Sequence, residues 1–221
     1  MGEQMDFITD FLSKNRVPEE SRKYFAGIEW TNSYLNDPAY KPIPTFSRVL
    51  KESGEDFFFS RTVNSPSTIP HLVTLQLKEW PSLREVPRGM LKGKETQSAV
   101  TKVPEKPDCV MLLRLSRPGL DGHPNVIHGG MASAILDEMI GLCLMLHSRN
   151  VNGPRDSLFT AYLNITYRAP VPTPSDVLVR TWLIAKEGRK LLAHGQIVDK
   201  DGLVMTEAEG MWVLAKREEK I

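Results

Sequence analysis

Two carboxylates interrupt a long apolar segment in the middle of the chain. Asp137 and Glu138 stand within Met131–Leu146, where nearly every other residue is apolar. Removing a carboxylate from water without a partner costs several kcal/mol. At least one acid is therefore expected to meet a polar cavity or a specific partner, unless both face solvent at a helix edge. A carboxylate held in such a cavity can act as a nucleophile or as a general base.

The residues before this segment add a second chemical element. The run Asn125-Val126-Ile127-His128-Gly129-Gly130 leads into it. Paired glycines at a helix start let a ligand approach backbone N–H groups that the helix leaves unpaired. Because the helix dipole favours developing negative charge at the same place, the pattern predicts an oxyanion site there.

A combination of motifs extends from His128 to Pro170. The His-Gly-Gly motif is followed, nine residues after the histidine, by Asp137, and the strand-like segment Thr160–Pro170 begins about two dozen residues beyond that acid. This combination resembles the hotdog-fold acyl-CoA thioesterases over about residues 108–216, in the form of a eukaryotic member with an N-terminal extension. The resemblance implies an α+β hotdog fold, in which an antiparallel β-sheet wraps a long buried central helix. It also implies an enzyme of lipid metabolism that hydrolyses an acyl-CoA to the free acid and CoA.

The resemblance assigns roles to individual residues of this chain. The amide of Gly130 is expected to polarise the thioester carbonyl, and Asp137 is expected to attack it or to activate water. Thr160 matches a position whose side chain orients the water or the acid. His128 matches a position whose side chain fixes the helix start and the substrate, and a purely structural role for it is the alternative. No metal is expected, and no cofactor beyond the CoA of the substrate. The expected substrate-binding residues are Gly129 and Asn125.

Gly130 and Asp137 cannot serve one carbonyl group from a single helix. They are seven residues apart, which is about 700° of helix, so they share a face but stand roughly 10 Å apart along the axis. Two antiparallel helices about a two-fold axis would bring Gly130 of one subunit to Asp137 of the partner subunit and form two equivalent sites. We therefore expect a homodimer, or a tetramer, with shared sites.

The strand around Thr160 is expected to alternate between two faces. One face is then polar, and its last two members are candidates to support Thr160. The polar face comprises Thr160, Tyr162, Asn164 and Thr166, and the opposite face comprises Phe159, Ala161, Leu163, Ile165 and Tyr167.

Turn residues divide the C-terminal part of the chain into strand-length segments. Their connections are too short for parallel crossovers, which predicts an antiparallel meander. The central helix is expected at about 129–148. The strands are expected at 57–59, 72–77, 109–115, 158–168, 176–186, 190–199 and 203–215.

The N-terminal part is rich in proline and shorter in its elements. Short amphipathic helices are expected at 5–14 and 18–29, and residues 31–56 are interpreted as a mostly irregular connector. The predicted domains are a helical and irregular N-terminal extension, 1–70, and a hotdog thioesterase domain, 71–221.

Composition and charge exclude several classes of partner. The 28 Lys+Arg against 27 Asp+Glu give a net charge of +1, so no basic field attracts nucleic acid. Acids near the middle of the apolar segment argue against a membrane span. Cys109 and Cys143 lack a metal-type spacing, which predicts no structural zinc site and a reducing compartment. The first residues lack the pattern of a secretory signal or a mitochondrial presequence, so a cytoplasmic location is expected.

Two other functions stay open beside hydrolysis of an acyl-CoA. The same fold could release acyl groups from a carrier protein in a biosynthetic pathway. It could also bind acyl thioesters without catalysis, in which case loss of the Asp137 carboxylate would leave ligand affinity intact.

Overall fold

The computed structural model describes residues 7–92, 102–147 and 158–215. Its strands are β1 (Tyr40–Ile43), β2 (Leu72–Leu77), β3 (Cys109–Leu115), β4 (Asp121–His123), β5 (Val126–Ile127), β6 (Leu158–Tyr167), β7 (Ser175–Glu187), β8 (Lys190–Val198) and β9 (Val204–Leu214). Seven of them form an antiparallel sheet in the order β1-β2-β3-β7-β8-β9-β6, and β4 and β5 form a separate hairpin.

Within the described residues, the α-helices comprise three short N-terminal segments and one long central helix. They are α1 (Phe7–Lys14), α2 (Glu19–Ala26), α3 (Glu29–Leu35) and α4 (Gly129–His147). Residues 5, 6 and 148, which the predicted helices include, lie outside the described residues. The α+β hotdog architecture expected from the sequence is confirmed, because α4 packs against β6, β7, β8 and β9 of the antiparallel sheet.

Helix α4 forms the centre of the main hydrophobic core. Ten of its side chains are buried, and they lie on more than one face, as expected for a helix surrounded by protein. The sheet approaches closely at Gly195 of β8, where a Cβ atom would lie 2.8 Å from Cγ1 of Ile140. By length and composition α4 could also cross a membrane, but here it packs within the protein.

The predicted meander is correct for β7, β8 and β9 and wrong for β6. The first three strands pair in succession through turns at Gly188 and Gly202, both at positive φ. Strand β6 pairs with β9 instead of β7 and lies at the sheet edge. The connection after β6 is held by the β4–β5 hairpin, since Ile127 N–H donates to Val171 O and Thr173 N–H donates to Asn125 O. These bonds direct the chain past the start of α4 to β7.

The N-terminal extension adds both helices and a strand to the fold. Phe25 of α2 is fully buried on the outer face of the sheet, against Val73 and Val110. Strand β1 pairs with β2, so the interpretation of 31–56 as mostly irregular was wrong at α3 and β1. The proline in β1, Pro42, fits an edge strand, where a missing N–H leaves no ladder bond unmade.

The strand predicted at 57–59 was also wrong. Residues Phe58–Thr62 form a short π-helical turn, in which Phe59 is buried while Phe57 and Phe58 are about half exposed. A run of three apolar residues fits either structure, because it is too short to show a period.

Candidate active site

Asp137 and Thr160 meet between the central helix and the edge strand. Asp137 is half-buried in the third turn of α4, and Thr160 lies near the beginning of β6. The Thr160 hydroxyl donates a hydrogen bond to Oδ1 of Asp137 at 2.9 Å. The structure therefore brings together two of the four predicted catalytic residues.

A β-bulge in β6 decides which side chains face α4. Thr160 pairs with Trp212 and Tyr162 pairs with Met211, so Ala161 is the extra residue. The bulge places Thr160 on the same side as Leu163 and Ile165, which pack against the main core.

The predicted polar face was therefore wrong in its grouping. Beyond the bulge Tyr162, Asn164 and Thr166 lie on the opposite side of the strand from Thr160. The Tyr162 hydroxyl donates to Oε1 of Glu209 at 3.3 Å on that side. Asn164 and Thr166 thus do not support Thr160.

The start of α4 is closed by the side chain of His128. Its Nδ1 accepts the N–H of Gly130 at 3.0 Å, and its carbonyl accepts the N–H groups of Met131 and Ala132 at 2.8 and 3.1 Å. His128 is thus the N-cap residue of the helix. Gly130 is exposed, and a substrate oxygen that binds its N–H has to take the place of the imidazole nitrogen.

Tyr167 is a site residue that the sequence interpretation missed. Its hydroxyl donates to the carbonyl of Gly129 at 3.0 Å and lies 2.7 Å from the hydroxyl of Ser133, which also donates to that carbonyl at 3.0 Å. These bonds fasten the end of β6 to the first turn of α4. Strand alternation had grouped Tyr167 with apolar residues. Its hydroxyl was the available signal, because a tyrosine hydroxyl on the side of the strand that faces the helix needs a hydrogen-bond partner.

A cleft of about 450 Å³ opens beside this network. It lies between the first turn of α4, the end of β6 and the connection that follows. Its wall is mostly apolar, with basic side chains among its members. The lining includes His123, Val126, Gly129, Tyr167, Arg168 and Val171.

Asn125 occupies the turn of the β4–β5 hairpin. Its φ of 62° is in the left-handed region, which asparagine tolerates better than most residues. Its carbonyl accepts the N–H of Thr173 at 2.9 Å. Asp121 of the same hairpin accepts hydrogen bonds from Thr173 and from the Arg117 guanidinium, and these, the bond from Thr173 foremost, hold the pKa of Asp121 below its usual range. Thr173 therefore ties both Asn125 and Asp121 to the segment before β7.

Within one chain the candidate residues form two separate groups. Thr160 accompanies Asp137, whereas His128, Gly129 and Tyr167 surround Gly130. The two groups stand roughly 10 Å apart along the axis of α4. A carbonyl bound to the Gly130 amide is therefore beyond the reach of Asp137 of the same chain.

Comparison with known proteins identifies related sequences. Residues 124–206 match the family model described as the thioesterase superfamily. An acyl-coenzyme A thioesterase named THEM4 from Bos taurus is 26% identical over 178 residues, covering 80% of this chain and 67% of the relative. The Mus musculus protein of that name is 37% identical over 95 residues, 42% of this chain and 38% of its own length. This chain thus spans between about two fifths and two thirds of these relatives.

A more distant relative and a solved structure complete the comparison. The Saccharomyces cerevisiae protein named uncharacterized mitochondrial membrane protein FMP10 is 25% identical over 198 residues, covering 87% of this chain and 66% of that protein. The crystal structure of thioesterase superfamily member 2 from Mus musculus is 15% identical and covers 52% of this chain and 87% of its own, with a TM-score of 0.42. The resemblance that the sequence motifs indicated is confirmed by the family match. Residues 124–206 of the chain are thus similar to the thioesterase superfamily, and this segment contains all of the predicted site residues.

Proposed function

We propose that the protein is an acyl-CoA thioesterase that acts as a homodimer with shared sites. The observation that carries this proposal is the 2.9 Å hydrogen bond from Thr160 to Asp137, because it holds this half-buried carboxylate in one orientation. The names of the mammalian relatives support CoA as the carrier of the acyl group.

The reaction begins with the thioester carbonyl at the start of α4. Its oxygen accepts the N–H of Gly130 in place of His128 Nδ1, where the helix dipole stabilises the negative charge that develops in the transition state. His128 then turns aside and contacts the substrate instead. The apolar wall of the 450 Å³ cleft contacts the part of the acyl chain that adjoins the thioester carbonyl.

Asp137 of the partner subunit supplies the second half of the chemistry. As general base it takes a proton from water, whose oxygen attacks the carbonyl carbon; the C–S bond then breaks, and the proton passes to the CoA thiolate. As nucleophile it would form a mixed anhydride that water then opens. A single turnover in ¹⁸O-water tests for the anhydride, since label in the Asp137 carboxylate arises only when water attacks the aspartyl carbonyl of that intermediate; label confined to the product acid is expected for the general base and also for attack on the acyl carbonyl of the anhydride.

The edge strand β6 supports the pairing of two subunits. It lies at one end of the sheet, with β9 on its inner side. Phe159 is 56% exposed and Tyr162 is 37% exposed on this strand. An exposed edge with aromatic side chains is prone to pair with another chain, and pairing of β6 with its twin would set two copies of α4 side by side. A dimer, or a tetramer built from it, buries this edge.

Turnover of a substrate panel tests the proposal. Short, long and aryl acyl-CoAs and acyl-carrier-protein esters are compared for the wild type and Asp137→Asn, with free thiol as the readout. We expect hydrolysis of CoA esters that Asp137→Asn abolishes, while Glu138→Gln, which changes the neighbouring acid about 100° around the helix, retains it. A preference for carrier-protein esters would support the biosynthetic alternative, and tight ligand binding without turnover would support a binding protein.

The proposal places the enzyme in the cytoplasm. Cys109 and Cys143 are buried free thiols, which fits a reducing compartment. The name of the yeast relative points to mitochondria instead, so imaging of the tagged full chain, compared with a mitochondrial marker, decides between the two.

A further inference from the structure

A second cluster of reactive side chains lies at the other end of α4. Asp108, Cys143 and His147 each offer one ligand atom, and these atoms all lie within 4.8 Å of one another. The cluster is buried: Asp108 is 2% exposed, Cys143 is fully covered, and the side chain of His147 is 9% exposed. The proposed hydrolysis uses none of these three residues.

The contacts of the cluster are polar and ordered. His147 Nε2 and Asp108 Oδ2 are 2.7 Å apart, and the backbone N–H of Leu183 donates to the same carboxylate oxygen at 2.8 Å. The Cys143 sulfur lies within 4.8 Å of the ligand atoms of both His147 and Asp108, and the neighbouring Cys109 thiol also interacts with it. The ring of Trp80 packs edge-on against that imidazole at 4.2 Å.

We propose that Asp108, Cys143 and His147 bind a zinc ion. Thiolate sulfur, imidazole nitrogen and carboxylate oxygen are the three ligand types that zinc takes from proteins. Cys143 and His147 stand one helical turn apart and so share a face of α4. Asp108 approaches from the start of β3, and the Leu183 N–H holds its carboxylate in the manner of an outer-shell hydrogen bond. Three protein ligands leave a fourth position for water.

Charge balance favours a divalent cation at this buried position. As ligands, Cys143 binds as a thiolate, His147 as a neutral imidazole and Asp108 as a carboxylate. The two positive charges of zinc then balance the two negative charges of the thiolate and the carboxylate, so the buried cluster carries no net charge.

One local movement is required. Zn–O and Zn–N bonds of about 2.0 Å in a tetrahedral arrangement place the two ligand atoms about 3.3 Å apart, whereas His147 Nε2 and Asp108 Oδ2 are 2.7 Å apart. A small rotation of the imidazole at the end of the helix opens this gap.

A catalytic cysteine triad is the other chemistry that these residue types could provide. It requires a thiolate that is accessible and of low pKa. Cys143 is fully buried and its pKa is raised, so the cluster lacks both features. The ion would instead fasten the end of α4 to β3 and β7, at the opposite end from the His128 cap.

Metal content of the purified full chain tests the proposal. Protein expressed with added zinc and dialysed is expected to carry one zinc per chain, and Asp137→Asn, which acts in the other site, is expected to carry the same. The variants Cys143→Ser and His147→Gln are expected to lose the zinc. A folded wild type, by near-ultraviolet circular dichroism, with no zinc above that of the dialysis buffer overturns the proposal.

Cobalt provides a spectroscopic readout on the wild type itself. Wild type stripped with a chelator and reloaded with Co²⁺ is expected to show a thiolate-to-cobalt charge-transfer band. The band is expected to persist in Asp137→Asn, which changes the other site, and to vanish in Cys143→Ser. Bound Co²⁺ without this band, or a band that survives Cys143→Ser, contradicts the assignment. Chelation is also expected to lower Tm in the wild type but not in Cys143→Ser.

Discussion

Thr160 donates a 2.9 Å hydrogen bond to Oδ1 of Asp137, and it reaches the acid only because β6 bulges at Ala161. The bulge reverses the alternation of the strand, so that Thr160 and Tyr167 both contact α4 although they are an odd number of residues apart. Strand β6 therefore contacts α4 both at Asp137 and at the turn that contains Gly130. Thr160 orients the acid, and Tyr167 fastens the turn that presents the Gly130 amide.

Substitution of Thr160 tests its role in orienting the acid. A hydrogen bond to a charged group contributes about 1.5 kcal/mol, which corresponds to roughly a ten-fold change in rate. We expect Thr160→Ala to lower kcat about ten-fold and Thr160→Ser, which keeps the hydroxyl, to stay within about three-fold of the wild type. Steady-state kinetics measure both. Equal loss in the two variants would mean that packing of the threonine matters instead.

Substitution of Tyr167 tests the fastening of the helix start. Tyr167→Phe removes the hydroxyl that bonds Gly129 and Ser133, and we expect a loss of about 1 kcal/mol in the free energy of unfolding. Turnover should fall as well, because the first turn of α4 becomes less fixed. Tyr162→Phe is the control, since its hydroxyl bonds Glu209 on the other face. Similar turnover in the two variants would argue against the Tyr167 network.

A pair of glycines tests the packing around α4. A Cβ at Gly122 would lie 2.7 Å from Cα of His128, a backbone atom, so Gly122→Ala is expected to displace the cap and destabilise by about 1–3 kcal/mol. A Cβ at Gly141 in α4 would have its nearest neighbour outside the local helix backbone, Trp212 Nε1, at 3.7 Å, so Gly141→Ala is expected to stabilise by about 0.5–1 kcal/mol. Denaturant unfolding measures both. Opposite signs are required, and two changes of the same sign would refute the packing description.

Glu187 gives a prediction for acid pH. Its carboxylate accepts the backbone N–H groups of Leu91 and Gly89 at 3.1 and 2.9 Å, and these bonds, that from Leu91 foremost, hold its pKa below the usual range. The contribution of these bonds to the free energy of unfolding is complete above the pKa of glutamate in the unfolded chain, about 4.3. It is lost as the pH falls from there through the lower pKa of Glu187 in the folded protein. The free energy of unfolding should therefore fall more steeply with acid in the wild type than in Glu187→Gln. Equal slopes would show that this carboxylate does not stabilise the fold.

The helix and the candidate residues on it could be predicted from the sequence because the signals are local. An apolar run with few breaks, a His-Gly-Gly start and a single well-spaced acid identify α4 and its two groups. The pairing of Thr160 with Asp137 was predicted only through the family resemblance. Strand alternation alone assigned Thr160 to the wrong set of neighbours, since nothing in the local sequence marks Ala161 as the bulged residue.

The features that sequence reasoning missed depend on distant segments. The placement of β6 beside β9 follows from backbone bonds between the 168–174 connection and the β4–β5 hairpin. Strand β1 forms because β2 offers an edge to it. The Asp108–His147 contact joins residues 39 positions apart, which no short metal motif reveals.

The central claim is that each site combines Gly130 of one subunit with Asp137 of the partner subunit. Differently tagged copies of Asp137→Asn and Gly130→Pro, the latter lacking the N–H, are co-expressed, and the mixed dimer is purified through both tags. Each variant alone is expected to be inactive while folded. The mixed dimer contains one intact site, so the account predicts about half of the wild-type kcat per dimer. A mixed dimer as inactive as its parents would contradict it.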